Sequence, residues 1–358
     1  MNNVYDCIGV MSGTSLDGVD IIYCTLHSSE GAYSYTILES KTYSYSKEWM
    51  DALQSAFEKT ESELEDLDIL YGTYLGTLIS TFIEENNIDK LDFIASHGHT
   101  IFHKPAAGYT LQIGCGKQIS KITNTKVIYD FRTQDVALGG QGAPLVPVGD
   151  ALLFPEFDYC LNLGGFANVS YDESGIRKAF DVCPVNIVMN YYMQQIGKEF
   201  DDKGQLAASG NINTKLLKEL NSDAFYELAH PKSLGFEFVK QHVFPLIDSY
   251  KINIEDILRT FVEHTAIQIS KVLSQKENSK TLVTGGGVYN DFLMQRIKTL
   301  SITEIRFPSK KLVEFKEALL FAFLGILRIE GKNNCLKSVT GASKNHSSGK
   351  ISIPNSNR

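Results

Sequence analysis

The sequence opens the same way twice. Residues 5–10 and 19–26 are β-rich runs separated by Ser12-Gly13-Thr14-Ser15-Leu16-Asp17-Gly18, and residues 159–163 and 169–171 are β-rich runs separated by Gly164-Gly165-Phe166-Ala167-Asn168. Each reads as a strand, a glycine-bearing turn and a returning strand. A chain of 358 residues has room for about two domains of ordinary size, so the repeat predicts two related units instead of one enlarged core. The Gly/Pro-rich stretch 139–149 interrupts regular structure and marks the boundary between them. The expected division is 1–153, 154–343, and a frayed tail at 344–358 that is rich in Ser, Asn and Gly.

Between the two openings the periodicity changes. Leu64, Leu67, Leu70, Tyr74, Leu78 and Phe82 recur at helical spacing behind a capping box read at Ser62 and Glu65. Helical periods return at 187–196, at 254–273 behind Asn253 as N-cap, and at 315–329. Short strands are predicted at 91–96, 126–131, 281–284 and 304–307. Strands alternating with helices define an α/β chain.

Charge and cysteine usage exclude several roles. With 34 Lys+Arg against 42 Asp+Glu, the net charge of -8 repels phosphate backbones and acidic bilayers, so neither nucleic acid nor a membrane is expected as a partner. The six cysteines show no CxxC pairing, which argues against a disulfide framework or a zinc knuckle. The first residues show no basic stretch ahead of an apolar run, and the apolar segment 318–327 is too short to span a bilayer. A cytoplasmic location follows as the expectation.

The glycine turns carry the chemistry. A loop of glycines and hydroxyls directs several backbone N–H groups at one point and can hold phosphate without net positive charge; an ordinary hairpin turn explains the first loop equally well. Thr284-Gly285-Gly286-Gly287 adds a third glycine turn after a strand. Three such exits in a two-lobed chain suggest a nucleotide clamped between the lobes. The sequence holds no GxxxxGK[ST], no third glycine to complete a dinucleotide fingerprint, and no GxSxG, because Asp17 stands where its last glycine would be.

Several segments resemble the anhydro-N-acetylmuramic acid kinase family of the actin-like, sugar-kinase and heat-shock ATPase superfamily. They are Gly9-Val10-Met11-Ser12-Gly13-Thr14-Ser15-Leu16-Asp17-Gly18-Val19-Asp20, Ser96-His97-Gly98, Asp130-Phe131-Arg132, Asp135-Val136-Ala137, Gly139-Gly140-Gln141-Gly142-Ala143-Pro144-Leu145, Asn162-Leu163-Gly164-Gly165 and Thr284-Gly285-Gly286-Gly287. The resemblance runs from Ile8 to Ala342 and implies two actin/hexokinase-like, ribonuclease H-like lobes with the active site in the cleft between them. It implies an ATP- and Mg²⁺-dependent enzyme that phosphorylates the 6-oxygen of 1,6-anhydro-N-acetylmuramate while water opens the anhydro bridge, in cell-wall recycling, and possible homodimerisation. The competing reading is a nucleotide-gated binding protein or ATPase of the same superfamily without sugar kinase activity.

The resemblance also implies roles. The family segment of Asp, Thr-Gly-Pro-Gly and Asn maps onto Asp181-Val182-Cys183-Pro184-Val185-Asn186 and puts Asp181 in the position of the general base, with Val182, Cys183 and Val185 departing from the usual residues. As a bare sequence feature, Asp181 could equally cap the following helix. Gly13, Thr14, Ser15, Leu16, Asp17, Gly18, Val19, Asp20, Gly164, Gly165, Gly285, Gly286 and Gly287 would hold the nucleotide. Asp17 and Asp20 are candidates to hold Mg²⁺ through water, and Asp17 reads equally well as a turn-former. His97, Arg132 and Glu317 are the candidates for substrate. Arg132 has a planar fork suited to oxyanions, and Glu317 is read at a helix start where the helix dipole would also favour it. His99 stands where the family usually has Gln. Cys183 is expected to be a packing residue.

Overall fold

The computed structural model describes residues 2–13 and 16–354. In chain order its strands are β1 (Asn2–Ser12), β2 (Val19–Ser29), β3 (Ala32–Tyr43), β4 (Phe93–Ser96), β5 (His99–Lys104), β6 (Tyr109–Ile113), β7 (Val127–Tyr129), β8 (Tyr159–Leu163), β9 (Phe166–Glu173), β10 (Ile176–Pro184), β11 (Lys280–Thr284), β12 (Glu304–Arg306) and β13 (Lys350–Ser352). They form a sheet β13-β7-β4-β1-β2-β3, a sheet β10-β9-β8-β11-β12 and a hairpin β5-β6.

The two sheets repeat one diagram. In the first, β1–β2 and β2–β3 are antiparallel, whereas β4 joins β1 and β7 joins β4 in parallel. In the second, β8–β9 and β9–β10 are antiparallel, whereas β11 joins β8 and β12 joins β11 in parallel. Tight turns can connect only antiparallel neighbours, so each parallel addition needs a crossover. The helix Glu61–Glu85 lies on the crossover from β3 to β4, and the helix Ile254–Leu273 on that from β10 to β11. All four β4 residues are buried, as a parallel strand covered on both faces requires.

The chain divides into two compact units. The first comprises residues up to Phe154 together with those from Phe315 onward, and the second Pro155–Glu314. This corrects the expectation that 154–343 form one lobe. The helix Lys310–Ile329 breaks its helical dihedrals at Phe315 (φ -115°, ψ 15°). Beyond that point it packs on the first sheet through contacts only glycine allows. A Cβ on Gly9 would lie 2.0 Å from the Ala318 carbonyl oxygen, and one on Gly325 would lie 2.8 Å from the Phe93 ring. Nothing in local periodicity tells a helix which sheet it will cover.

Other expectations are also revised. The helix Glu61–Glu85 is capped at Thr60, not Ser62: Thr60 Oγ1 accepts from Glu63 N–H, and the Glu63 carboxylate accepts from Thr60 N–H. Starting there puts Glu61 and Glu63 in the first turn, where the helix dipole favours acids. The tail expected to fray instead supplies β13, antiparallel to β7. Ser348 Oγ donates to Phe131 O at 2.7 Å, and Lys350 Nζ pairs with Asp130 Oδ2 at 2.8 Å. An edge strand is recruited by backbone N–H and C=O groups, which polar composition does not remove.

Candidate functional site

In the second unit, β8 ends at Leu163 and the chain reverses through Gly164-Gly165 into β9. β11 runs parallel beside β8, so Gly285, which follows Thr284, comes out at the same end of the sheet. Gly285 has φ +85°, and a Cβ there would lie 2.7 Å from both Leu163 O and Asn162 Oδ1. The two turns therefore touch only because Gly285 has no side chain. A Cβ on Gly286 would meet nothing within 4 Å, so the turn is open on that side. Gly165 O accepts from Val185 N–H at 2.8 Å and Ile187 N–H at 3.3 Å, which seats the helix Asn186–Gln194 on the first turn. Past Gly287, the residues Val288, Asp291, Met294, Lys298 and Phe307 help line a cavity of about 520 Å³. Open glycine turns beside a partly apolar cavity fit a nucleotide, with phosphates on backbone and base on side chains.

Asp181 lies near the end of β10, at a bulge between Asp181 and Cys183. A bulge breaks the alternation of side chains and re-aims the residue beside it. Asp181 N–H donates to Lys232 O at 3.0 Å, and its Oδ2 accepts from Leu234 N–H at 2.8 Å. Burial pushes the carboxyl up, and the Leu234 N–H partly offsets this. The result is a carboxylate more basic than a free one. Val182, Cys183 and Val185, the residues that depart from the family pattern, are all buried in the core of this unit. Burial and then the Asp181 charge push the Cys183 thiol up, so the neutral thiol packs and is no nucleophile.

In the first unit, Ser12 closes β1 at the centre of a polar knot. Its Oγ lies 2.6 Å from Tyr45 OH, 2.9 Å from Tyr71 OH and 2.8 Å from His99 Nδ1, while the two tyrosine hydroxyls are 2.5 Å apart. Burial lowers the His99 pKa to about 4, so the ring is neutral and Nδ1 can accept the Ser12 hydroxyl proton. His99 thus anchors the start of the β1–β2 turn, a partner no spacing in the sequence could name. Thr14 and Ser15 lie outside the described residues. Within the turn, Leu16 N–H donates to Gly13 O at 3.3 Å, and a Cβ on Gly18 would lie 2.5 Å from Tyr43 O. Val19 is fully buried as β2 begins, Asp17 is exposed, and Asp20 Oδ1 accepts from Thr42 Oγ1 at 2.5 Å.

His97 and Arg132 form one assembly. Arg132 Nε donates to His97 Nε2 at 3.0 Å and Nη1 to Gly142 O at 2.6 Å. His97 Nδ1, 3.0 Å from Gly98 O, must then hold the ring proton. Burial first and the Arg132 charge second keep this imidazole neutral. Both ring nitrogens of His97 face protein partners, and the ring aims Arg132. Glu317 is not at a helix start but just past the Phe315 break, with solvent-accessible surface. Protein still crowds it enough that desolvation pushes the carboxyl up against the opposing pull of Arg132 and Lys316.

A twice-repeated ribonuclease H-like sheet with glycine turns leaving its first strands defines the actin- and hexokinase-like class of ATP-using proteins. Among the described residues no helix is long and apolar enough to cross a membrane. The chain belongs to the anhydro-N-acetylmuramic acid kinase family, whose sequence profile matches residues 5–354. It is 35% identical over 372 residues to the anhydro-N-acetylmuramic acid kinase of Shewanella putrefaciens, covering 96% of this chain and 97% of that one. It is 32% identical over 353 residues to the enzyme of the same name from a Sulfurovum species, covering 94% and 96%. The protein is an enzyme, a sugar kinase that uses ATP on a small-molecule sugar.

Proposed function

We propose that this enzyme opens 1,6-anhydro-N-acetylmuramate with water and phosphorylates its 6-oxygen, giving N-acetylmuramate 6-phosphate and ADP, in the cytoplasmic recycling of cell-wall peptidoglycan. The observation that carries the reading is Asp181, a carboxylate beside a strand bulge with its basicity raised by burial. Its part is to take a proton from the water whose oxygen bonds to the anomeric carbon. The anomeric carbon's bond to the 6-oxygen breaks, and that oxygen takes the γ-phosphoryl group as ADP leaves.

The remaining roles follow from charge and hydrogen-bond capacity. Arg132, held by His97 and Gly142, presents a cation suited to the substrate's carboxylate or to a phosphate oxygen. Glu317, accessible to solvent, accepts sugar hydroxyls. Gly164, Gly165, Gly285, Gly286 and Gly287, with residues 13–20 of the first turn, hold the triphosphate. Mg²⁺ supplies charge neutralisation at the phosphates, and Asp17 and Asp20 are suited to hold its water shell, because hard oxygen donors are what that ion takes.

The test is direct. Purified protein mixed with ATP, Mg²⁺ and the anhydro-sugar should yield ADP and a phosphorylated reducing sugar in equal amounts. ADP without a sugar phosphate would reject the reading and leave a nucleotide-gated ATPase.

A further inference from the structure

We propose that Asp135, Cys335 and His346 form a binding site for a divalent transition-metal ion, zinc by its donor set, which fastens the C-terminal segment to the loop that holds Arg132. One oxygen, one sulfur and one ring nitrogen from these three buried residues all lie within 4.8 Å of one another. Nothing in the kinase reading uses them, and the proposal does not depend on it.

The fold brings the three together from two distant stretches of chain. Cys335 N–H donates to His346 O at 3.1 Å and His346 N–H to Cys335 O at 3.2 Å, a two-way bridge that sets these residues side by side. Asp135 joins them from the helix Thr133–Ala137. Its Oδ1 accepts from Thr340 Oγ1 at 2.8 Å and its Oδ2 from Gly142 N–H at 2.7 Å, and each oxygen keeps a second lone pair.

The imidazole points to a cation. His346 Nδ1 lies 3.2 Å from Lys344 O, which places the ring proton there. Nε2 is buried, without a hydrogen-bond partner and 3.6 Å from Asp135 Oδ1. A ring nitrogen and a carboxylate oxygen face each other at a distance too long for a hydrogen bond, and the histidine is only 5% exposed. A metal-binding histidine characteristically donates its other N–H to a backbone carbonyl, as this one does. One sulfur, one imidazole nitrogen and one carboxylate oxygen suit a borderline-soft ion such as Zn²⁺ and not Mg²⁺, which takes hard oxygen donors. With bonds of about 2.0–2.3 Å, a tetrahedral shell sets its ligand atoms roughly 3.5 Å apart, so small side-chain rotations close the cluster on the ion. On binding, a sulfur–metal bond forms and the Cys335 proton leaves to solvent.

The site would act at one remove from Arg132, because the same Gly142 that donates to Asp135 accepts from Arg132 Nη1 at 2.6 Å. Cobalt(II) titration of the chelator-treated full chain provides the test. One equivalent per chain should produce a near-ultraviolet thiolate-to-cobalt band and tetrahedral visible bands, both abolished by zinc, and zinc should raise the thermal midpoint by a few degrees. Cys335→Ser, folded by circular dichroism, should lose the near-ultraviolet band and bind cobalt at least about tenfold more weakly, a loss of one ligand being no milder than loss of its supporting contact. Should that variant not fold, zinc X-ray absorption on the wild type decides, one sulfur in the shell being the expected result. No band in the wild type, a band that survives Cys335→Ser, or a shell with more than one sulfur would each overturn the proposal, the first leaving a plain histidine–carboxylate ion pair.

Discussion

The two units share one sheet diagram but differ in where it is interrupted. In the first unit the extra residue is Leu38, in the middle of the third strand, where Tyr23 pairs with Glu39 and Cys24 with Ile37. In the second the slip falls between Asp181 and Cys183, at the end of the third strand. The leading turns differ as well: residues 13–18 separate β1 from β2, whereas Gly164 and Gly165 alone separate β8 from β9. A duplicated scaffold keeps its core constraints in both copies, and one extra residue at a strand end is enough to turn a side chain out of the ladder. The second copy presents a carboxylate there. The first closes its strand end with Ser12, Tyr45, Tyr71 and His99, which satisfy one another.

The largest effect should come from the bulge. Asp181→Asn is expected to lower kcat by about 10²–10⁴-fold while leaving the Kd for nucleotide and sugar within a few-fold, as calorimetry can check. The wild-type rate should fall as pH drops through the raised Asp181 pKa, because the base must be ionised. That acid limb should vanish from the variant's residual activity. Near-normal turnover in Asp181→Asn would move the catalytic contrast elsewhere.

Arg132→Lys comes next. Lysine keeps the charge but not the fork that meets His97 and Gly142 together, so kcat/KM for the sugar should fall roughly 10–100-fold, the worth of one or two charge-assisted hydrogen bonds. Steady-state kinetics would show it, and a sugar KM unchanged in Arg132→Lys would remove the first unit from substrate binding.

A matched pair of glycines sharpens the comparison further. Gly31 and Gly285 have nearly the same dihedral, φ +89° and +85°, but a Cβ on Gly31 meets nothing within 4 Å. Gly31→Ala should cost about 1 kcal/mol, the backbone penalty alone, and Gly285→Ala appreciably more, with weaker nucleotide binding. Denaturant titrations of both variants check this; equal costs would mean the two glycine turns do not need their close approach.

The smallest effect concerns acid stability of the first unit. His99 has its pKa lowered to about 4 in the folded chain. The unfolded state therefore binds the extra proton first, and stability declines as pH falls from about 6.5 toward that value. His99→Gln, which restores the residue usual in the family, should flatten the thermal midpoint against pH in that window.

Much of the scaffold was legible because it rests on local pattern. The helix Ile254–Leu273 begins behind Asn253 as its side chain demands, with Asn253 Oδ1 accepting from Asp256 N–H at 2.8 Å, and the strand Tyr159–Leu163 stands where the β-rich run places it. The strand Ala32–Tyr43 was invisible, since none of its residues is fully buried and exposed β ladders leave little hydrophobic signal. Of the site, glycine turns could be read because a turn is local chemistry. The tasks of His97 and His99 could not, because Arg132 and Ser12 are brought to them by sheet pairing.

By itself, then, the sequence determined that the chain would begin two similar sheets, put glycine where each leading strand ends, and leave six thiols without cross-links. Only the tertiary structure decided that residues 315–354 return to the first unit, which nitrogen of His97 bears the proton, and that Asp135 meets Cys335 and His346. The physical reason is range: turn chemistry and periodicity act over a few residues, whereas close packing and buried hydrogen bonds join whatever the folded backbone brings within a few ångströms.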